Sequence, residues 1–205
     1  YAGWQDGKRN MAYVLATGGG KTPIAASIFE AFDRPSCAIA HRQELVGQLA
    51  LTFAKFGVPH GIEAPKAVLR WINNEQVARY GRSYCKPRAA CRIAGVDTLN
   101  ARKRHYAQWG KTVALWMIDE CHHLLRGNKW GKAVELFPNA FGLGGTATLV
   151  RSDGKGLGRD ADGCFDDFVQ GLSGRELIDT GFLTDYRVFA PRSDFQRAGV
   201  EVSET

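Results

Sequence analysis

The sequence predicts an α/β domain, a mostly parallel sheet flanked by helices. Short runs that are apolar on both faces, such as VALWMID (Val113 to Asp119), alternate with longer segments of helical spacing. Strands hydrophobic on both faces belong to sheets covered on both sides. Two of these runs also end in residues that carry chemistry. A glycine-lysine loop follows one and an acidic pair closes another, where parallel sheets bind ligands, at the carboxyl ends of strands.

The elements follow in order. Met11 to Ala16 (MAYVLA) reads as a buried strand. Lys21 to Phe32 reads as a helix with Ile24, Ile28 and Phe32 on one face. Cys37 to His41 is the next strand, and Gln43 to Phe56 a helix with Leu45, Leu49 and Phe53 spaced by four. Pro65 to Tyr80 is helical, Cys91 to Val96 a strand, and Leu99 to Trp109 a helix. After the apolar strand Val113 to Asp119 come a short helix (Trp130 to Leu136), a strand with a glycine-rich exit (Phe141 to Ala147), a helical turn (Arg175 to Thr180) and a last strand (Tyr186 to Ala190). Ser152 to Gly163 (SDGKGLGRDADG) reads as a flexible surface loop. Four tryptophans, Trp71, Trp109, Trp116 and Trp130, read as packing residues that could instead stack on bases.

A chain of 205 residues supports one sizeable domain and not two large ones. No apolar run reaches membrane-spanning length, and no signal peptide is visible. The five cysteines are odd in number and include no C-x-x-C pair, so they read as reduced thiols in the cytoplasm. Cys121, His122 and His123, with Cys85 and Cys91, raise a zinc alternative, but C-x5-C fits no common zinc knuckle. The net charge of +6 is unevenly spread: Arg79 to Arg104 holds eight Lys/Arg and one acid, Asp97. Such a segment points to a polyanion, most commonly nucleic acid, with a solvated basic loop as the alternative.

ATGGGKT (Ala16 to Thr22) sits where a strand ends and a helix starts. Glycines let the backbone of Thr17, Gly18, Gly19 and Gly20 turn its N–H groups inward, and the helix N-terminus adds its positive end. Such a loop holds phosphates. Lys21 would reach the β- and γ-phosphates, and the Thr22 hydroxyl would bind Mg²⁺. Leu15 stands where the strict motif has its first glycine. Asp119 and Glu120 close the most apolar strand, an expensive place for two carboxylates unless cations or water partner them. A Mg²⁺-nucleotide supplies those partners, with Asp119 toward the metal and Glu120 toward an attacking water. The bland alternative is a pair of acids at the start of the next helix.

Taken in order, these blocks resemble the first RecA-like domain of superfamily 2 helicases, of the DEAD/DEAH-box and restriction-subunit-like branch. ATGGGKT resembles motif I, which in this family usually lacks the first glycine. AHRQELVGQ (Ala40 to Gln48) resembles motif Ia, DECH (Asp119 to His122) motif II, and GGTATLVRSDGKGL (Gly144 to Leu157) motif III. GVDTLNARKR (Gly95 to Arg104) is similar to motif Ib, and Arg175 to Pro191 resembles the end of domain one in phage and bacterial members. Leu149 and Ala16 stand where the family usually has proline, and Tyr80 to Ala90 reads as an insertion without a family role. The family's adenine-specifying glutamine would lie upstream of Tyr1, Gln5 being too close to Lys21.

The resemblance implies an ATP hydrolase that uses ATP and Mg²⁺ to move on or unwind nucleic acid, DNA in preference to RNA. It implies a P-loop NTPase fold, with 1–191 as the first RecA-like domain and 192–205 as a linker toward a second that this chain lacks. Thr17 to Thr22 would bind the nucleotide, Thr22 and Asp119 the metal, and Lys21, Asp119 and Glu120 would serve hydrolysis. His122, Thr146, Ala147 and Thr148 would couple the nucleotide state to the grip on nucleic acid. Arg42, Thr98 and Arg102 would touch the nucleic-acid backbone. Without the second domain's arginine, worth about 10³ to 10⁵ in rate, the isolated domain would be nearly inactive. The alternatives are a duplex translocase of a restriction or remodelling system, a non-hydrolysing binding module and a small-molecule kinase.

Overall fold

The computed structural model describes residues 2–148, 151, 154–187 and 189. Seven strands form one sheet in the order β3-β4-β2-β5-β6-β1-β7, and every pairing is parallel. They are β1 (Asn10–Val14), β2 (Ser36–Ala40), β3 (His60–Glu63), β4 (Cys91–Gly95), β5 (Leu115–Asp119), β6 (Phe141–Thr146) and β7 (Asp167–Gln170). The helices are α1 (Ala2–Gln5), α2 (Lys21–Glu30), α3 (Gln43–Lys55), α4 (Lys66–Tyr80), α5 (Val96–Ala101), α6 (Lys103–Thr112), α7 (Lys129–Val134) and α8 (Gly174–Asp179). Among the described residues no helix is long and apolar enough to cross a membrane.

The strands divide their side chains between two cores. Cys37 and Ile39 of β2 and Trp116 and Ile118 of β5 face α5 and α7, among Val96, Leu99 and Trp130. Their neighbours Ala38, Ala40, Leu115 and Met117 face α2 and α3, among Ala26, Leu49 and Phe53. This period of two explains why both strands look wholly apolar: both faces are covered. In β6 the glycines make room for aromatics crossing the sheet. A Cβ on Gly142 would meet the Trp116 ring at 2.2 Å, and one on Gly144 the Phe165 ring at 2.2 Å.

Several expectations need correction. The helix after the glycine loop buries Ala25, Ala26 and Phe29, while Ile24 is 42% exposed. Ile28 and Phe32 pack against the core as partly buried residues, whereas Ile24 lines a cavity of about 410 Å³ shared with Ile28, α1, β1 and β7. The helix expected over Leu99 to Trp109 is two, α5 and α6, with Arg102 at the break. Ser152 to Gly163 is packed rather than loose: Leu157 is buried, and Arg126 donates to the carbonyls of Gly163 and Arg159. Ser152 and Asp153 of that stretch lie outside the described residues. Tyr186, Arg187 and Phe189 are not in a strand, and the linker expected over 192–205 lies outside the described residues. Strands β3 and β7 escape the sequence pattern, since HGIE and DFVQ are too short and polar to stand out. Trp116 and Trp130 are buried, whereas Trp71 is 44% exposed and lies against Gly47 of α3.

The segment 81–90 is fastened to edge strand β3 by one buried polar group. Gln76, fully buried, donates to the Ala50 carbonyl (3.2 Å) and lies 3.0 Å from His60 Nε2. Its oxygen accepts the Tyr84 N–H at 2.8 Å. The His60 backbone bonds to Tyr84 and Lys86 on either side of Cys85. With the Gln76 amide donating, His60 Nε2 accepts and Nδ1–H donates to the Val58 carbonyl at 2.8 Å. Burial holds the imidazole neutral, its pKa pushed down to about 4. Between that value and the unfolded pKa near 6.5 the unfolded chain binds more protons, so this contribution to stability is lost as pH falls through that window. At pH 5 the loss is about 2 kcal/mol relative to pH 7. Urea unfolding at the two pH values is expected to show a pH dependence smaller by that amount in His60→Gln.

Candidate nucleotide and nucleic-acid site

Because every strand is parallel, each loop that leaves a strand's carboxyl end opens on one edge. Along the sheet order, that edge carries Thr98 in α5 after β4, Arg42 after β2, Asp119 and Glu120 at β5, Thr146 to Thr148 at β6, and the glycine loop after β1. Residues far apart in the chain are thus set in one row.

The glycine loop folds as its composition requires. Gly18 and Gly20 take φ values of 80° and 96°, a region that side-chain-bearing residues rarely adopt. Gly20 is the N-cap of α2 and makes no side-chain cap, so the first N–H groups of the helix face the loop uncapped. Lys21 Nζ makes one long contact, 3.4 Å to the Leu15 carbonyl, and its charge acts on Asp119. The loop is backed from outside by Leu177 of α8 and by Leu183, beside Gly19 and Gly18.

The acidic pair is arranged unequally. Burial pushes the Asp119 carboxyl up, and the neighbouring Glu120 charge adds to that shift. The Glu120 backbone is left-handed (φ 54°, ψ 51°), and its N–H donates to Asp119 Oδ1 at 3.1 Å. A non-glycine residue held there is strained by about 1 kcal/mol, and such strain clusters at functional sites. The turn brings Glu120 to His122, whose Nδ1 lies 3.4 Å from Glu120 Oε2. His122 Nδ1 is also 3.1 Å from Thr146 Oγ1. That hydroxyl donates to the Thr148 carbonyl (3.1 Å), so the imidazole must be the donor in the pair. The exits of β5 and β6 are therefore hydrogen-bonded to each other through His122 and Thr146.

A phosphate chain with a divalent cation fits these groups. The uncapped helix start and Lys21 offer donors and positive charge, while Asp119 is a carboxylate that partial burial leaves in want of a cation, with Glu120 beside it. Thr22 follows Lys21 in the first turn of α2.

Sequence reasoning missed two contributors. Tyr13, in β1, donates its hydroxyl to the Lys21 carbonyl at 3.0 Å. Its ring fills the space that a Cβ on Gly145 would take, and burial followed by the Asp119 charge drives its pKa well up. A tyrosine in an otherwise apolar strand was the available signal. The second is a ring cluster of His41, His123 and Trp130. His41 and His123 meet edge to face at 5.8 Å, and His123 stacks on Trp130 at 5.3 Å. Burial lowers the pKa of both histidines, and their rings join the exits of β2 and β5. Arg42 is exposed at the start of α3. Thr98 is half-buried in α5, and Arg102 is exposed beside the Tyr106 hydroxyl.

The family described as ResIII, the type III restriction enzyme res subunit, matches residues 2–151. The chain belongs to that family, within the superfamily 2 helicases. No curated protein matches this ResIII domain. Among solved structures, the UvsW helicase of bacteriophage T4 is similar with a TM-score of 0.56 at 19% identity, over 80% of the ResIII domain's chain and 55% of its own. A hypothetical ATP-dependent RNA helicase from Sulfolobus tokodaii gives 0.55 at 16%, over 80% and 48%. The Type ISP restriction-modification enzyme LlaGI, solved as a nuclease-deletion mutant with a DNA substrate mimic, gives 0.60 at 11%, over 88% and 19%. The ResIII domain therefore spans about half the length of the first of these, and likeness at such identities establishes a shared RecA-like fold.

Relief of the left-handed strain at Glu120 gives a test of the local geometry. Glu120→Gly is expected to raise the unfolding free energy of the nucleotide-free domain by about 1 kcal/mol. Denaturant unfolding beside the wild type measures it. An unchanged or lower stability would show that the turn at Glu120 is not strained.

Proposed function

We propose that this chain is the N-terminal motor domain of an ATP-dependent helicase or translocase acting on nucleic acid. Residues 1–191 form its first RecA-like domain, and 192–205 lead toward a second. The observation that carries the reading is the row at the carboxyl edge. Phosphate loop, acidic pair and exposed Arg42 share one edge, and the His122–Thr146 hydrogen bond ties the acidic turn to the next strand exit.

The backbone N–H groups of Thr17 to Thr22 bind phosphate oxygens, and Lys21 neutralises the β- and γ-phosphates. Thr22 and Asp119 hold Mg²⁺, which when bound draws charge from the phosphates. Glu120 orients a water and takes its proton. A change at Glu120 reaches Thr146, Ala147 and Thr148 through His122, and so alters the strand exit that follows the acidic pair. Arg42, Thr98 and Arg102 hold the nucleic-acid backbone, a contact to phosphates that suits movement along any sequence. The free thiols fit a reducing compartment, the cytoplasm.

The reading is tested by steady-state ATP turnover of a polypeptide that joins this chain to its second RecA-like domain. Assays run with single-stranded DNA, duplex DNA, RNA and no nucleic acid. Stimulation by at least one of them is expected. Glu120→Gln should lower the stimulated rate by about 10² to 10⁴, as loss of a general base does. Lys21→Ala should abolish nucleotide binding. The 205-residue chain alone should turn over ATP about 10³ to 10⁵ more slowly than the joined protein. Tight ATP binding with no stimulation by any nucleic acid would overturn the motor reading.

A further inference from the structure

The charge of this protein is more localised than its sequence indicates, and not where the carboxyl-edge row lies. The basic stretch from Arg79 to Arg104 is split by the fold. Arg102, Lys103 and Arg104 fall between α5 and α6, after the carboxyl end of β4, and Lys103 is paired with Glu135. Arg92 within β4 is paired with Glu63. Arg79, Arg82, Lys86 and Arg88 precede β4, and so lie toward the opposite end of the sheet. Residues 66–90, comprising α4 and the loop after it, hold six Lys/Arg against one acid, Glu75. That unit has a net charge of +5 in a chain whose total is +6; Lys66 and Arg70 open α4 just after the carboxyl end of β3, so the cations toward the opposite end are Arg79, Arg82, Lys86 and Arg88.

These charges are displayed on a rigid frame. The loop 81–90 is pinned by Gln76 to the Tyr84 N–H and by the His60 backbone to Tyr84 and Lys86. Arg82 lies over the Tyr84 ring at 4.7 Å and donates to its hydroxyl at 2.9 Å. Among the described residues, Lys66, Arg70, Arg82, Lys86 and Arg88 make no ion pair. Between α4, β3 and the loop runs a cleft of about 420 Å³, lined by Arg70, Asn73, Asn74, Lys86 and Glu63, with Leu69 on its apolar wall.

We propose that the last turn of α4 and the 81–90 loop form a second nucleic-acid contact, separate from the carboxyl-edge row, that holds the phosphate backbone of another part of the bound nucleic acid. It rests on the motor reading above. Its groups are guanidinium, ammonium and amide donors, which serve phosphate oxygens. The loop exposes no large apolar side chain, and α4 exposes three: Leu69 and Val77 share a stripe two turns apart, while Trp71 lies on another face. The centre of a protein interface would need such side chains gathered together, so an acidic protein partner is the less fitting occupant. A loop whose backbone is already pinned, with Arg82 held on Tyr84, loses little backbone freedom when a polyanion arrives. Such a contact would keep the protein on its track while the carboxyl-edge grip is released in each cycle.

The test is the salt dependence of binding by the full chain to a labelled single strand of roughly 30 nucleotides, about two dsRNA-binding footprints long, and to the matching duplex. A triple charge reversal of Arg82, Lys86 and Arg88 to Glu is compared with a control of equal charge change, Lys8, Lys111 and Lys132 to Glu. All of these positions are exposed, and thermal melting checks that each variant folds. The loop variant should lose at least about tenfold in affinity at roughly 0.1 M salt, and its slope of log K against log salt should shrink by about 3 for duplex or 2 for single strand. The control should lose less than about threefold. Equal losses in the two triples would reduce the effect to net charge and overturn the proposal. No loss in the loop variant, with binding abolished by Arg42→Glu, would overturn it while leaving the motor reading intact and directing the patch to an acidic protein. A wild-type chain that binds no nucleic acid would overturn this proposal, while the motor reading stands or falls on nucleic-acid stimulation of the joined polypeptide.

Discussion

Seven strands that all point the same way force every loop after a strand onto one edge of the sheet, and the candidate site exists because of that constraint. The glycine loop and the acidic pair are about a hundred residues apart in sequence. They become neighbours because β1 and β5 flank the same strand, β6, in parallel register. A parallel sheet has to be covered on both faces to bury such strands, and the helices that cover it leave only the two ends open to ligands. The rest of the structure serves that arrangement. Glycines in β6 let Trp116, Phe165 and Tyr13 cross closely, so the strand between the two functional loops is thin, and its neighbours are held tightly against it.

The polar groups at this edge are held by one another. Glu120 turns left-handed on the Asp119 carboxylate, His122 reaches from Glu120 to Thr146, and Tyr13 ties β1 to the first residue of α2. Partial burial, and after it the Glu120 charge, raise the Asp119 pKa, so the end of β5 is a costly place for a second negative charge.

The opposite side of the domain follows a different logic. There a single buried amide, Gln76, organises a neutral histidine and the loop 81–90 into an extension of the sheet edge. The polar core of that extension is internally satisfied, which leaves its cations free to face solvent or a polyanion.

The parallel α/β class, the glycine loop and the acidic strand end were legible in the sequence, because each depends on local residue chemistry. A strand apolar on both faces requires cover on both sides, glycines ahead of a lysine leave backbone bare for an anion, and acids closing a buried run demand a cation or water. Local patterns could not give the pairing of Tyr13 with Lys21, the His41–His123–Trp130 rings or the left-handed turn at Glu120. These are contacts between distant segments, or backbone strain imposed by them. Nor could they show that the apolar stripe of α2 at Ile24 faces a cavity while Ala25 and Ala26 touch the sheet, since the spacing of side chains does not reveal how closely a helix approaches. The basic stretch is the plainest case. As a sequence it is one block of positive charge. As a structure it is two, because the short strand β4 runs through its middle and carries its two halves to opposite ends of the sheet.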